Sequence, residues 1–211
     1  MKRAVVSFAN GSYLPKLERM KESMKGNTDA DVITFTEYDQ IGCKPHSEIP
    51  YQFKPYAIWK AIEMGYESIL YVDSPIVAIK DISPVFEHIE KHGVMFFENI
   101  GHPLGNWSHQ KALDYYGKTK DEAMDIKQTM QCCFGLNITN DIAEQFFNEY
   151  IGVSEELYPG SWDDSRHDQM CASFIINKMN LPILKGHETF FIYSHFKNVF
   201  TISETVCLES R

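Results

Sequence analysis

The chain is short of several things, and each shortage closes off a class of function. No apolar run approaches the roughly 20 residues that a membrane-spanning helix requires. The start, Met1 to Phe8, carries positive charge but too few apolar residues before Asn10-Gly11 to form a signal-peptide core. Basic residues are outnumbered, 20 Lys and Arg against 29 Asp and Glu, and the formal net charge is -9 with no block of Lys or Arg. That balance opposes binding to a bare phosphate backbone and leaves room for a nucleotide bound one molecule at a time. Neither Gly-x-Gly-x-x-Gly nor a Walker-type loop occurs, so a dinucleotide or P-loop NTPase reading lacks its phosphate cradle. The five cysteines are odd in number, and the adjacent pair Cys132-Cys133 has no Cys-x-x-Cys spacing. They read as reduced core residues of a cytoplasmic protein. Internal repeats, low-complexity tracts and linkers are all missing.

What is present is one domain's worth of apolar sequence: 211 residues, 44% hydrophobic and 13% aromatic. Strands alternate with helices, the pattern of a layered α/β domain. Strands are expected over 3 to 8, 30 to 36, 69 to 72, 94 to 97 and 132 to 138. Helices are expected over 13 to 25, 53 to 65, 82 to 90 and 142 to 150, the second with Pro55 in its first turn and Gly65 at its end. Trp59 and the pair Phe146-Phe147 fall on apolar helix faces and read as core. Residues 101 to 130, with Gly101, Pro103, Gly105 and Gly117 followed by a polar helical stretch, have the least regular pattern and read as a loop-rich rim where specificity resides.

Two patches carry chemistry. The first is Ile69-Leu70-Tyr71-Val72-Asp73-Ser74-Pro75-Ile76-Val77, an apolar strand that delivers one carboxylate at its carboxyl end, where open α/β sheets bind ligands and metal ions. The second is Ser161-Trp162-Asp163-Asp164-Ser165-Arg166-His167-Asp168-Gln169, leading into an amphipathic helix with Met170, Cys171, Phe174, Ile175 and Met179 on one face. Asp163, Asp164 and Ser165 read as helix caps. Asp168 and His167 lie against the apolar face instead and are candidate catalytic groups. Glu98 ends a strand as Asp73 does, either solvated or facing an acceptor. Trp107 and Trp162 sit in polar segments, either as surface residues or as platforms for a sugar ring. Asn10-Gly11 is a strong turn signal in its own right.

Phe53-Lys54-Pro55-Tyr56, Leu70-Tyr71-Val72-Asp73-Ser74, Gln131-Cys132-Cys133-Phe134-Gly135-Leu136 and Arg166-His167-Asp168-Gln169 occur in an order that resembles small bacterial and viral glycosyltransferases of the GT-A, nucleotide-diphospho-sugar transferase type. The resemblance runs from about residue 3 to about residue 200. It implies a single-domain α/β fold with a Rossmann-like mixed sheet flanked by helices. Residues 1 to about 100 would bind a nucleotide-sugar donor, and about 101 to 211 would shape the acceptor half. It implies donor-site roles for Ala9, Asn10, Lys54, Asp73, Ser74 and Arg166, acceptor-site roles for Glu98, Trp107 and Trp162, and Asp168 or His167 as the acceptor-side catalytic group.

In that family the strand-end carboxylate belongs to an Asp-x-Asp motif that holds a divalent cation, Mn²⁺ or Mg²⁺, on the donor diphosphate. Here Pro75 stands at the second Asp, and Pro offers a hard cation no side-chain oxygen. Three arrangements follow: Asp73 holds the cation with diphosphate oxygens and water, His195 completes the site, or Lys54, Arg166 or Lys197 supplies the positive charge. The expected partners are a nucleotide-sugar donor and an acceptor that is a glycan, a lipid-linked sugar, a protein or a modified base. Two rival readings are a non-catalytic sugar-nucleotide or glycan binding module and a metal-dependent hydrolase built on Asp73, His167, Asp168 and His195.

Overall fold

Alternation along Arg3–Phe8 and Ser68–Val72 builds the centre of the fold, because successive side chains of a strand point to opposite faces. The computed structural model describes residues 1–158, 167–194 and 197–210. In chain order the elements are β1 (Arg3–Phe8), α1 (Leu14–Met24), β2 (Asp31–Phe35), α2 (Tyr38–Ile41), α3 (Phe53–Glu63), β3 (Ser68–Val72), β4 (Ile76–Ala78) and α4 (Ser83–His92). They continue as β5 (Val94–Pro103), α5 (Gln110–Tyr116), α6 (Lys120–Met124), β6 (Lys127–Asn137), α7 (Asp141–Glu156), α8 (His167–Lys178), β7 (Phe191–Tyr193) and β8 (Leu208–Ser210).

Five strands form a mixed sheet in the order β2-β1-β3-β6-β5. β1 runs parallel to β2 and β3, while β6 is antiparallel to both β3 and β5. A small second sheet, β4-β8-β7, lies beyond the end of β3. Ala4, Val6, Ile69, Tyr71 and Phe134 face a core shared with Ala57 and Ile58 of α3, Phe146 and Tyr150 of α7 and Phe174 of α8. Val5, Leu70, Val72, Met95 and Cys133 face the other core, with Leu17 and Met20 of α1 and Phe86 and Ile89 of α4. Both faces are therefore covered, which is why β1 and β3 read as continuous apolar runs.

This order positions the site. From β1 the chain crosses over α1 to β2 on one side, whereas β3 lies on the other side of β1. The sheet thus has a topological switch point at the carboxyl ends of β1 and β3, which leaves a crevice there. Ala9 and Asn10 follow β1 into it, and Asp73 follows β3.

Several expectations need correction. The strand expected over 94 to 97 continues to Pro103, and the one expected from 132 begins at Lys127, where it pairs with Pro103 across a register shift. Residues 104 to 126 are not mainly loop: α5 and α6 bury Ala112, Leu113 and Ala123. The helix expected over 142 to 150 extends to Glu156. α8 is not amphipathic; every residue from Met170 to Ile176 is buried, because the helix lies between β6 and α7. Trp59 is 41% exposed, since α3 turns Ala57, Ile58 and Ala61 to the core instead.

Gly135 of β6 lies where the sheet packs closely against a helix. A Cβ built there runs into the side chain of Ile89 on α4, which is fully buried. Overpacking of this kind costs about 1–3 kcal/mol, so Gly135→Ala is expected to lower the urea unfolding midpoint accordingly. An unchanged midpoint would mean that α4 shifts freely against the sheet.

Candidate active site

Lys54 leaves the first turn of α3 and is buried, with only 4% of its surface exposed. Its ammonium lies 2.7 Å from Asp168 Oδ2 and 3.2 Å from Asp73 Oδ2, and donates to the Gln131 carbonyl at 3.0 Å. It thus donates two hydrogen bonds, to Asp73 and to Gln131, and stands in an ion pair with Asp168. Asp73 also accepts a hydrogen bond from the Tyr71 hydroxyl at 3.1 Å through Oδ1, and its backbone N–H donates to the Cys132 carbonyl at 2.7 Å. Asp168, in the first turn of α8, is 2% exposed. The solvated-surface reading of Lys54 is thereby excluded.

Two carboxylates on one ammonium leave a net charge of -1 in the group. Burial alone would lower the Lys54 pKa, but the charges of Asp168 and Asp73 outweigh it and hold the ammonium above its ordinary value. Burial, aided by the neighbouring Asp168, raises the Asp73 carboxyl, with Lys54 working in the opposite direction.

Two cavities meet at this group. The larger, about 560 Å³, is bounded by the end of β1 (Phe8, Ala9, Asn10), the segment around α2 and α3 (Tyr38, Tyr51, Phe53) and the end of β3 (Asp73, Ser74, Pro75). Phe8 packs against Tyr38 and Phe53 with ring centres 5.0 and 4.9 Å away, giving this cavity an aromatic wall. The smaller, about 350 Å³, is lined by residues of the β5 end, β6 and α8, among them Asn99, Gln128, Cys132 and Gln169. Tyr51, Lys54 and Asp73 border both. Tyr51 has a φ of 63°, a left-handed backbone that costs a non-glycine residue about 1–2 kcal/mol, at the junction of the two cavities.

Of the residues singled out from sequence, Ala9, Asn10, Lys54, Asp73 and Ser74 border the larger cavity, and Asp168 and Trp107 the smaller. His167 borders neither: it is 1% exposed, and its ring packs near His109 and Tyr158, with centres 5.6 and 6.5 Å away. Glu98 also borders neither and accepts a hydrogen bond from Lys127 at 3.0 Å. Lys197 closes on the buried Glu209 of β8. Trp162, Arg166 and His195 lie outside the described residues. Sequence reading missed Tyr51, Asn99, Gln128 and Gln169. Gln128 carried a usable signal, since a glutamine in a strand buried on both faces must find polar partners.

Among the described residues, no group of three or more His, Cys, Asp or Glu side chains is arranged to hold a metal ion. Asp73 offers one partly open carboxylate, its side chain 29% exposed. A single carboxylate fits the way Mg²⁺ is commonly bound, through one or two carboxylates plus substrate phosphates and water.

No family model and no curated protein sequence matches the chain. Solved structures do. A glycosyltransferase involved in glycosylation of the major capsid of PBCV-1 superposes with a TM-score of 0.62 at 9% identity, covering 100% of this chain and 93% of that one. The WbbM bifunctional glycosyltransferase gives 0.59 at 12% identity and covers 99% of this chain, which spans 45% of that longer protein. The galactosyltransferase LgtC, solved with donor and acceptor sugar analogs, gives 0.51 at 10% identity, covering 98% and 86%. The chain has a GT-A-type fold, as the sequence resemblance implies.

If Lys54 is the counter-charge that holds the two carboxylates, Lys54→Met leaves the buried Asp168 without its ion pair and Asp73 with the Tyr71 hydroxyl alone among the described residues. Breaking a buried pair in this way costs about 3–5 kcal/mol. Without the ammonium that works against its burial, the Asp73 carboxyl titrates in the folded variant above its unfolded value. The variant's stability is then full below the unfolded value, near pH 3.9, and falls as pH rises through the raised folded value. Urea unfolding of wild type and variant is expected to differ most near neutral pH and to converge on acidification; a gap independent of pH would remove this role from Lys54.

Proposed function

We propose that the chain is a glycosyltransferase that moves a sugar from a nucleotide-diphosphate donor in the larger cavity to a hydroxyl of an acceptor in the smaller one. The observation that carries this reading is the shared wall: two cavities of different chemistry meet at Lys54 and Asp73, with Asp168 on the acceptor side. The fold likeness to LgtC, solved with donor and acceptor sugar analogs, supports a two-substrate arrangement.

In the transfer, the bond from the anomeric carbon to the diphosphate oxygen breaks, and its electron pair leaves with the nucleoside diphosphate. A bond forms from the same carbon to the acceptor oxygen, and the acceptor's proton passes to a base. Asp168 is the base in this reading: it borders the acceptor cavity and is held in place by Lys54 at 2.7 Å. The aromatic wall around Phe8 receives the donor's base, and Asp73 faces the donor's diphosphate end.

A diphosphate entering beside a group of net charge -1 needs additional positive charge. Mn²⁺ or Mg²⁺, bound by Asp73 together with diphosphate oxygens and water, would stabilise the charge that develops on the leaving group. Because the described residues supply one such carboxylate, the cation is expected to bind with the nucleotide and only weakly without it. Pro75 in place of a second Asp gives a non-catalytic binding module some support, and turnover separates the two readings.

Thermal unfolding against UDP, GDP, CDP, ADP and their sugars, each with Mn²⁺, Mg²⁺ or chelator, tests the donor site. A ligand at about 100 times its dissociation constant adds about 2.7 kcal/mol of stability. A shift is expected for one nucleotide family and is expected to shrink with chelator. Asp168→Asn should keep that shift while losing about 10²- to 10⁴-fold in transfer or donor hydrolysis, the usual worth of a positioned base. Unchanged turnover in Asp168→Asn removes the base assignment. Nucleotide binding without any turnover by the wild type favours the binding module, and no shift with any nucleotide overturns the transferase reading.

A further inference from the structure

The chain's eight histidines are spread over the whole fold, and two of them meet on one helix. His88 and His92 stand four residues apart on α4, the spacing that puts two side chains on one helix face. Their ring centres are 4.5 Å apart, with the planes tilted by 37°. His88 is half-buried and packs at a steep angle against Phe190, 5.5 Å between ring centres, whereas His92 is exposed in the last turn. The fold uses other histidines differently. His109 accepts from the Ala112 N–H at 3.1 Å through Nδ1 and lies 3.1 Å from the Leu157 carbonyl through Nε2, so both its nitrogens are engaged in capping α5. No hydrogen bond or ion pair to another described residue engages either imidazole of the α4 pair.

A neutral imidazole offers one nitrogen lone pair, and imidazole suits Zn²⁺, Ni²⁺ and Cu²⁺. With metal–nitrogen bonds of about 2.0–2.1 Å, two imidazoles on one ion have ring centres about 4.5–5.2 Å apart for N–metal–N angles of about 90–109°. The separation on α4 falls at the near end of that range, which is the one for adjacent positions of a square or octahedral ion. Burial, aided by the neighbouring His92 and Lys91, holds His88 below the ordinary imidazole value and so keeps its lone pair available at neutral pH. Packing on Phe190 restrains the His88 ring and lowers the ordering cost of binding. The exposed Lys91 opposes a cation, though water screens it, and the formal net charge of -9 favours one.

We propose that His88 and His92 form a surface chelate for a transition-metal dication of the Zn²⁺, Ni²⁺ and Cu²⁺ type, with water filling the remaining positions. This site differs in chemistry from the cation proposed beside Asp73, which is a hard ion that needs diphosphate oxygens, whereas the α4 pair offers nitrogen. It also differs in place. His92 comes two residues before Val94, which pairs with Leu136, and Leu136 pairs with Ile69 near the amino end of β3, while Asp73 leaves the carboxyl end. A bound ion ties the last turn of α4 to the turn before it, just ahead of Gly93, where the helix stops and its own hydrogen bonds run out. The inference does not rest on the transferase reading.

Calorimetry and thermal unfolding of the full chain with NiCl₂ or ZnCl₂, and with MgCl₂ as the hard-ion control, test it. One Ni²⁺ per chain is expected to bind and to raise the melting midpoint, and Mg²⁺ without nucleotide is expected to do neither. Substoichiometric Cu²⁺ should broaden the imidazole NMR signals of His88 and His92 ahead of those of the other histidines. His92→Gln changes an exposed side chain and should keep the metal-free midpoint while weakening Ni²⁺ binding about ten-fold or more, because the second arm of a chelate acts at high effective concentration. His88→Gln should weaken it likewise. Equal Ni²⁺ affinity in wild type and folded His92→Gln, broadening that begins at other histidines, or no Ni²⁺ bound at all overturns the site.

Discussion

An ammonium buried among oxygens is the constraint around which this molecule is arranged. Removing a lysine from water is expensive unless every hydrogen of its head group is received and its charge is met. Lys54 answers it with hydrogen bonds to Asp73 and the Gln131 carbonyl and an ion pair with Asp168. These partners come from the end of β3, the start of α8 and the middle of β6, and Lys54 itself from the start of α3. Four elements must therefore converge at one point on the carboxyl edge of the sheet. That is also where β1 and β3 part to form the crevice, so the demand of the buried charge and the topology of the sheet select the same place.

The parts of the fold legible in the sequence are those where one physical signal dominates. β1 and β3 are buried on both faces, so their apolar runs needed no neighbour to be recognised. Asp73 could be located because a carboxylate directly after such a strand has to emerge at its edge. Lys54 was readable only as a candidate, since lysine is almost never fully buried unless paired, and its partners lie 19 and 114 residues away along the chain. The lengths of β5 and β6 were hidden for a different reason: their pairing passes through register shifts, which break the strict alternation a strand shows in sequence. α8 was misjudged because burial all round a helix depends on what lies on its far side, in this case α7 as well as the sheet. The left-handed backbone of Tyr51 has no sequence signature, because it is imposed by the path of the chain into α3.

The two cavities differ in a way that gives the site a direction. The larger one has the aromatic wall of Phe8, Tyr38 and Phe53, suited to a flat heterocycle, while the smaller one sets the amides of Asn99, Gln128 and Gln169 among Tyr51, His102, Trp107 and Tyr193. Between them stand two carboxylates that Lys54 prevents from repelling each other apart. A sugar passing from one side to the other would carry its developing positive charge beside this group, where a net negative potential is favourable. The same potential would disfavour a diphosphate, so under the proposed transfer the group would assist the sugar's departure and an additional cation would be useful on the donor side.

Pro75 also has a structural reason to be where it is. The Ile76 N–H donates to the Asp73 carbonyl at 2.9 Å, closing a tight turn directly after β3. That turn sends the chain into β4, which pairs with β8, and β8 in turn pairs with β7. β7 ends in Tyr193, which borders the smaller cavity and contacts Cys132 at 3.1 Å through its hydroxyl. Pro75 is the third residue of this turn, and the chain it redirects runs into the small second sheet that carries Tyr193. The position that supplies a second metal carboxylate in the resembling family is occupied here by a turn residue, and the chain beyond that turn pairs with the strand that neighbours β7, whose Tyr193 borders the smaller cavity.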